Sequence, residues 1–411
     1  MQIRRYTFRL YPSVSQETEM ERHRHLHQQI YNAALEERIS AYRKGVHLSF
    51  FDQSKSIKII KSECPEYVSV HVHTLSETLK RLDSAYSSFF RRKKTGKPAG
   101  FPRFQSHERF SGWSYKAHKN GFWVTLRDGG KHGTLRLSGI GEMPMRGSMR
   151  DVGDIRNCNV FRRGDNWFVS IVVRGDFKRE CGTEACGMDW GVNTFATIAT
   201  SQGKLIEIKN PRHGRRTANK LAKAQRELAR KRRGSSRHGK AKQKVRRLYE
   251  RMKMQRHDFL HKTSCMLVKQ FGMIATEHLH ICGMTRNAKG TVGDPGTRIM
   301  QKSGLNREIL DTAPGMFLEM VSYKAESAGC LLEIVDTRKH KPSQTDPISG
   351  KVVKKPLRQR THVLPDGRTI GRDHAAAWVV LNAALKNHGK ELANAAYPLP
   401  SRVSSRDAGS S

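Results

Sequence analysis

Three carboxylates, Asp189, Glu277 and Asp373, lie in or beside apolar segments of the sequence. Asp189 interrupts a β-rich, mainly apolar run at residues 187–198, and Glu277 lies in a second short apolar run at 273–279. An ionised carboxylate is costly to bury in such a setting unless something pairs with it, and a divalent metal ion is an economical partner. Asp373 precedes small and apolar residues typical of a helix, where an acid also favours the helix dipole.

The order of these acids along the chain says more than any one of them. One lies on a first strand, one ends a later strand and one begins a final helix, with β and α segments between them. That order is expected of a ribonuclease-H-like nuclease, in which carboxylates from separate elements converge on two Mg²⁺ ions. We therefore predict that Asp189, Glu277 and Asp373 are both the catalytic residues and the metal ligands.

The composition indicates a polyanionic partner. The 411 residues carry a formal net charge of +39, which exceeds what solubility requires. The seven cysteines form no CxxC pair, which favours free thiols in a reducing compartment. No apolar run approaches the length that spans a bilayer. We expect a protein of about two to four domains in the bacterial cytoplasm, associated with the nucleoid and with no membrane partner.

The first part of the chain predicts a β-strand, two helices and then a small β-structure. Alternating apolar residues at 2–10 are typical of a strand, and Ser13 with Gln16 forms a possible capping box for the first helix. A second helix with a basic end follows at 75–94. A nucleic-acid-recognition module and a packed helical pair whose charges are only solvated remain alternatives. Short β-rich runs at 100–177 favour a barrel or sandwich, completed by the N-terminal strand.

The most basic stretch, residues 215–262, predicts a helical hairpin that binds phosphates. A Gly/Ser-rich break at 234–239 separates two helical patterns, and acids are few. Because so many like charges repel one another without an anion, we expect phosphate-backbone contacts with a strong salt dependence. The residues predicted to contact nucleic acid are Arg91, Arg92, Lys93, Arg103, Arg230, Arg232, Arg233, Arg237, Lys240, Lys244 and Arg247.

The segments beyond the hairpin predict further β and α structure. Residues 283–304 have the composition of a mobile loop, one helix is expected from about 305 to 328, and 331–335 has the composition of a strand.

Several blocks along the chain resemble the TnpB family of transposon-encoded, RNA-guided DNA nucleases and the related compact type V CRISPR effectors. The blocks, in family order, are residues 9–12 (RLYP), 100–104 (GFPRF), 187–191 (GMDWG), 258–262 (DFLHK), 276–279 (TEHL) and 372–376 (RDHAA). By this resemblance Asp189, Glu277 and Asp373 match the RuvC metal-binding triad. The resemblance implies an α/β plus all-β fold, in which an RNase H-like (RuvC) domain follows an oligonucleotide-binding-type wedge β-barrel with an inserted helical recognition module.

The expected domains follow from the resemblance and the composition together. They are a wedge barrel at 1–12 and 100–180, a recognition module at 13–99, a RuvC-like nuclease at 181–340 and 371–390 with the basic hairpin at 215–270, an altered zinc-ribbon insertion at 341–370, and a disordered tail at 391–411.

The chain departs from the family pattern around the third acid. TnpB proteins usually carry a four-cysteine zinc ribbon before it, but the matching positions here hold Asp346, Ser349, Val363 and Asp366. No structural zinc is therefore predicted, and the insertion is expected to persist as a basic flap. Next to Asp373, a glycine at 371 and an alanine at 375 replace a usual Asp and a usual Asn.

The resemblance implies a guide-RNA-directed DNA endonuclease with two Mg²⁺ ions. Pairing between guide RNA and double-stranded target DNA is expected to read the sequence, while the protein reads a short flanking duplex motif. The protein is expected to act as a monomer or as a homodimer on the RNA. One alternative is an RNA-guided DNA-binding protein or repressor with weak or no cleavage. Another is a transposase that joins DNA.

Overall fold

The computed structural model describes residues 1–151, 153–177, 179–291, 293–356 and 358–389. The tail expected at 391–411 lies outside these ranges. The chain divides into two compact units, 1–177 and 178–411. Within the described residues, no helix combines the length and the apolar character that crossing a bilayer requires.

The first unit contains a seven-stranded antiparallel sheet. Its strands are β1 (Gln2–Leu10), β2 (Gly112–Tyr115), β3 (Phe122–Leu126), β4 (Lys131–Leu137), β5 (Gly141–Ser148), β6 (Asp154–Arg163) and β7 (Asn166–Gly175). Their spatial order is β2-β6-β7-β1-β5-β4-β3, so the N-terminal strand lies in the middle of the sheet. The sheet curls, because its two edge strands, β2 and β3, are consecutive in the chain and joined by a tight turn with an Ala117–Asn120 bridge.

Buried and exposed residues alternate along the second half of β1. Phe8 and Leu10 are buried while their neighbours along the strand face outward. They join a core of aromatic and sulfur-containing side chains that includes Trp113, Trp167 and Met143. The alternating pattern of the sequence therefore fixes which face of this strand packs inward.

Three helices, not the expected two, are inserted between β1 and β2. They are α1 (Val14–Arg43), α2 (Phe50–Glu63) and α3 (Val72–Lys94). The predicted capping box of Ser13 and Gln16 is confirmed, and a second box at Ser49 and Asp52 begins α2. The prediction missed α2 because the helix buries only Gln53 and Ile57 completely, which leaves too weak an apolar stripe to be detected.

The second unit is built on a five-stranded mixed sheet. Its strands are β8 (Glu184–Trp190), β9 (Thr194–Thr200), β10 (Leu205–Lys209), β11 (Phe271–Glu277) and β12 (Leu331–Val335), in the order β10-β9-β8-β11-β12. The first three strands form an antiparallel meander, whereas β11 runs parallel to both β8 and β12.

Helices cover both faces of this sheet. In chain order the helices of the unit are α4 (His213–Ala229), α5 (Ser236–Gln270), α6 (Ile281–Met284), α7 (Ile299–Thr312), α8 (Pro314–Ala328), α9 (Thr337–His340) and α10 (Arg372–Asn387), and a small hairpin of β13 (Thr361–Val363) and β14 (Thr369–Gly371) precedes the last helix. One face packs against α5 and α8 through residues such as Met188, Leu260 and Phe317. The other face packs against α10 through Ala377, Leu381 and their neighbours.

The single helix predicted from about 305 to 328 is wrong, because the structure has two helices there. α7 begins earlier, at Ile299, and the break falls at Ala313, whose φ of 49° is left-handed. Pro314 follows it as the first residue of α8. Proline disfavours a helical conformation of the residue before it, so the chain turns at this point instead of continuing one helix.

Candidate active site

Asp189 and Glu277 lie side by side at the carboxyl ends of two neighbouring parallel strands. The register aligns Met188 of β8 with Thr276 of β11, which places the next residue of each strand level with the other. Along β8, Cys186 and Met188 belong to the core on the α5 and α8 side of the sheet. Because side chains alternate between faces, Asp189 points toward the side covered by α10.

The two carboxyl groups lie close enough for each to change the pKa of the other. Burial raises the pKa of Asp189 well above its usual range, and the charges of Glu277 and then Asp373 raise it further, while Arg372 opposes them. Burial also raises the pKa of Glu277, although the hydrogen bond from Asp189 lowers it. Without a cation, the pair therefore favours a bound proton.

Asp373 lies in the first turn of α10, which crosses the sheet directly over β8. A Cβ atom on Gly187 would lie 2.2 Å from the Ala377 carbonyl oxygen and 2.5 Å from the Leu381 nitrogen. The absence of a side chain at Gly187 is therefore what lets the helix approach this strand. Asp373 begins one helical turn before Ala377, and its charge is close enough to raise the pKa of Asp189.

The N-terminal turn of α10 is held by contacts that sequence reasoning missed. His374 Nε2 lies 2.9 Å from Glu207 Oε1 on β10. The backbone N–H of Arg372 donates to the Arg360 carbonyl oxygen at 2.8 Å, and its Nη1 donates to the Pro356 carbonyl oxygen at 3.2 Å. The histidine and arginine next to Asp373 were a visible signal, but nothing in the sequence identified their partners.

The two unusual residues near Asp373 also have a structural setting. A Cβ atom on Gly371 would lie 2.7 Å from His374 Nδ1, so an aspartate there would crowd this histidine and bring a carboxylate to it. Ala375 is 2% exposed, within the buried part of α10. The small residues at 371 and 375 thus fit the close packing around the first turn of α10.

The donor set of this site suits a hard divalent cation. Two carboxyl groups are in contact, and a third is close enough to change the pKa of the first. Oxygen ligands of this kind are those that Mg²⁺ prefers. Within the described ranges, however, no three His, Cys, Asp or Glu side chains are grouped closely enough to hold a metal ion as they stand. The structure thus places Asp189 and Glu277 next to each other. Asp373 is near enough for its charge to act on Asp189, but the three acids are not grouped as ligands of one ion.

The basic residues predicted to contact nucleic acid lie in both units. In the first unit, Arg91, Arg92 and Lys93 form the exposed last turn of α3, and Arg103 is exposed in the segment that follows. The residues of the second unit are on or next to the helical hairpin of α4 and α5 and are exposed: Arg230, Arg232, Arg233, Arg237, Lys240, Lys244 and Arg247.

One of these cations is already paired. Lys244 Nζ donates to Glu227 Oε2 at 2.8 Å, which links α5 to α4. Tyr249 and Gln225 hydrogen-bond across the same hairpin at 3.0 Å. Lys244 therefore helps to join the two helices, in addition to any role as a phosphate contact.

Comparison with known proteins gives two family matches. Residues 169–288 match the model OrfB_IS605, named "Probable transposase", and residues 1–46 match a model named "Helix-turn-helix domain". The second description does not fit the structure, because residues 1–46 form the strand β1 and one continuous helix, α1. The first match covers β8, β9, β10, α4, α5 and β11, including two of the three predicted acids.

Curated relatives are similar over most of their length. The chain is 29% identical over 327 residues to "Putative RNA-guided DNA endonuclease InsQ" of Escherichia coli K12, covering 78% of this chain and 77% of that protein. It is also 29% identical over 391 residues to "Putative RNA-guided DNA endonuclease" of Streptomyces pristinaespiralis, covering 93% and 89%.

Among solved structures, the chain is similar in fold to the protein of a Cas12f1 complex. The match covers 91% of this chain and 84% of the protein in the "Cryo-EM structure of the Cas12f1-sgRNA-target DNA complex", with a TM-score of 0.56 and 13% sequence identity. The family-model matches and the relatives together support a TnpB-family identity for this chain.

Proposed function

We propose that this chain is an RNA-guided DNA endonuclease that cuts with a RuvC-type site. Relatives that are named RNA-guided DNA endonucleases match most of the chain and most of their own length. The observation that carries the proposal is the contact between Asp189 and Glu277 at the ends of β8 and β11. Two adjacent half-buried acids with raised pKa values are costly in a purely structural role, whereas they suit a cation site.

An RNase H-like fold for the second unit is supported by its strand order and by where its acids lie. Three antiparallel strands are followed by two strands parallel to the first, and a helix packs over the first strand. Asp189 and Glu277 end adjacent strands, and Asp373 begins the covering helix. In the proposed arrangement, the curled sheet of the first unit is the wedge barrel, and α1 to α3 are the recognition module.

Asp189, Glu277 and Asp373 are the proposed catalytic residues and Mg²⁺ ligands. Bound there, Mg²⁺ ions supply the positive charge that activates a water molecule and stabilises the leaving 3′-oxygen of the cut phosphodiester. As ligands, Asp189 and Glu277 would both be ionised. Asp373 would be the third ligand, on the first turn of α10 that His374 and Arg372 hold against β10 and the preceding segment.

The proposed partners are a guide RNA and a double-stranded DNA target. The hairpin of α4 and α5 presents exposed arginines and lysines, and phosphate backbones are the polyanions such a surface attracts. Base pairing between guide and target supplies sequence specificity, and the protein reads a short flanking duplex motif. The complex contains one protein chain or a homodimer on the RNA.

The guide requirement is tested with the ribonucleoprotein purified from cells. RNA that co-purifies is sequenced, and a plasmid library with a matching target and randomised flanks is incubated with the complex and Mg²⁺. Cleavage only of plasmids with the matched target and a restricted set of flanks supports the proposal. Cleavage that ignores the guide sequence contradicts it, and strand-transfer products would instead indicate a DNA-joining enzyme.

A second candidate is an RNA-guided DNA-binding protein with weak or no cleavage. Two observations favour it: in the described part of the chain three metal-ligating side chains are not already grouped, and Gly371 and Ala375 alter the surroundings of Asp373. The same plasmid assay separates the two candidates. Target-specific binding without nicking in Mg²⁺ supports the binding protein.

A further inference from the structure

The insertion at residues 341–370 has almost no apolar core. Among the described residues of the insertion, five are buried: Pro342, Asp346, Pro347, His362 and Leu364. Small segments with so few apolar contacts usually need a disulfide or a metal ion to hold them. The insertion contains no cysteine, so neither a disulfide nor a thiolate site can form within it.

A chain of three polar side chains crosses the centre of the insertion. His362 Nε2 lies 2.6 Å from Asp346 Oδ2, and the side chains are 3% and 7% exposed. The other ring nitrogen, Nδ1, contacts the ammonium of Lys355. Because an ammonium has no acceptor, it donates to Nδ1, which places the ring proton on Nε2, where it is donated to Asp346. Both ring nitrogens of His362 are therefore occupied, one by Lys355 and the other by Asp346.

The carboxylate of Asp346 also holds the first turn of the insertion. Its Oδ1 accepts hydrogen bonds from the backbone N–H groups of Ile348 at 3.0 Å and Ser349 at 2.6 Å, and from the Ser349 hydroxyl at 2.9 Å. Both carboxylate oxygens are thus occupied by protein donors. The Asp346 side chain thus forms the turn with the residues that follow it.

The second turn is held in a similar way, outside the buried core. Asp366 accepts from the backbone N–H of Arg368 at 3.1 Å and from its Nε at 2.7 Å. Val363, which precedes this turn, is 57% exposed and has no donor atom. The residues at the four positions where the family resemblance implies zinc ligands therefore do not fit a zinc ion.

The insertion is joined directly to α10. Asn382 Nδ2 donates to the Pro347 carbonyl oxygen at 2.9 Å, next to Asp346. At the other end, Arg372 hydrogen-bonds to the carbonyl groups of Arg360 and Pro356. Because Pro356 follows Lys355, the bond from Arg372 to the Pro356 carbonyl oxygen brings the polar chain close to the residue preceding Asp373.

We propose that Lys355, His362 and Asp346 form a metal-free centre that replaces the zinc of the insertion and sets the backbone from which α10 begins. In that arrangement His362 and Asp346 are positioning residues for Asp373, and this claim rests on the proposed function. The claim that the centre is metal-free concerns only how the insertion folds.

The test is hydrogen exchange of the full-length protein without nucleic acid, read by mass spectrometry. After dialysis against a chelator, the wild-type protein is expected to contain no stoichiometric zinc and to keep its exchange pattern in peptides from 341–370. His362→Ala should speed exchange in those peptides by about 10-fold or more, and in the first turn of α10, while leaving the sheet of the first unit unchanged. Asp346→Asn, which keeps an acceptor for His362, should have a smaller effect.

Asp366→Ala is the matched control, because it removes an exposed pair from the same insertion and should affect only the second turn. Stoichiometric zinc whose removal speeds exchange in the insertion would overturn the proposal, and so would wild-type exchange there in His362→Ala. Mg²⁺-dependent cleavage is measured in parallel. The cleavage rate should fall in His362→Ala and fall less in Asp346→Asn. If the wild-type complex does not cleave, the exchange results still decide whether the centre is metal-free.

Discussion

Asp189 and Glu277 lie side by side at the carboxyl ends of β8 and β11, and burial raises the pKa of both carboxyl groups. Without a cation the pair therefore favours a bound proton, although such acids are normally ionised at neutral pH. A cation that takes both as ligands must displace this proton. The affinity of the site for Mg²⁺ should therefore increase with pH, and metal binding should release a proton.

Removing one charge from the pair should stabilise the metal-free protein. Asp189→Asn keeps a hydrogen-bond donor toward Glu277 but removes the like charge, so we expect a gain on the order of 1 kcal/mol, or about 2–4 °C in the unfolding midpoint. Because the folded-state pKa of Asp189 is raised, its charge destabilises the fold only above the unfolded pKa of ~4. The gain should appear as pH rises above that value.

Thermal unfolding of both proteins in chelator, across a series of pH values, measures this effect. Asp336→Asn is a suitable control, because Asp336 follows β12 at the same end of the sheet and caps α9. If the wild-type protein is more stable than Asp189→Asn at pH 7 without metal, the Asp189 carboxyl does not destabilise the metal-free fold.

A side chain at Gly187 should displace α10. In Gly187→Ala the new methyl group would meet the backbone of Ala377 and Leu381, which cannot move independently of the helix. We expect a loss of about 3 kcal/mol in unfolding free energy and a loss of cleavage. Gly239→Ala is the matched control, because that helical glycine has open space around it, and it should gain about 0.5–1 kcal/mol. Denaturant unfolding of the two variants decides the question.

The contact between His374 and Glu207 should matter for cleavage more than for folding. It ties the first turn of α10 to β10 at a partly exposed position. His374→Ala should lower the cleavage rate by roughly 10- to 100-fold, while His374→Gln, which can still donate to Glu207, should recover part of it. Equal rates for the alanine variant and the wild type, at saturating Mg²⁺, would show that this contact does not position Asp373.

Acid should destabilise the first unit through two buried histidines. Burial and then the charge of Arg22 lower the pKa of His23 to about 4, and burial lowers the pKa of His27 well below its usual value. Groups with a lowered folded-state pKa stabilise the fold above their unfolded pKa, so stability is lost as pH falls from 6.5 toward 4. The loss should approach about 1.4 kcal/mol per pH unit for each histidine.

The acid effect is measured by unfolding His23→Gln and His25→Gln between pH 7 and 4. His25 lies on the exposed side of the same helix, so its variant should keep the wild-type pH dependence. His23→Gln should have a shallower one. Identical pH dependence in all three proteins would show that the buried histidines do not carry the effect.

The basic hairpin should bind nucleic acid with a steep salt dependence. Replacing Arg232, Arg233 or Arg237 by alanine should each reduce the slope of log K against log salt by about 1. Lys244→Ala should have a smaller effect, because its ammonium already pairs with Glu227. RNA binding of these variants, measured from low to high salt, distinguishes phosphate contacts from charges that are only solvated.

The sequence predicted the strands and helices that carry the three acids, because each acid stands out against a strongly patterned segment. It could not give the register that sets Glu277 beside Asp189, since pairing between strands more than 80 residues apart depends on tertiary packing. It missed α2, whose few buried residues leave a weak pattern, and the break at Ala313, which depends on a left-handed backbone.

The altered insertion shows the same limit. Its sequence indicated the absence of zinc ligands but not what stands in their place. The partners of His362 are 7 and 16 residues away along an irregular backbone, so no periodic pattern connects them. Only the folded structure places these side chains in one buried cluster.

Cleavage of a matched plasmid by the Asp189→Asn and Glu277→Gln ribonucleoproteins tests the central claim most directly. Each complex is first shown to bind guide RNA and target DNA like the wild type, and is then incubated with Mg²⁺ alongside Asp336→Asn. We predict rapid cutting by the wild type and by Asp336→Asn, none in chelator, and a loss of at least about 1,000-fold in both site variants. Cutting at the wild-type rate by either site variant would contradict the account.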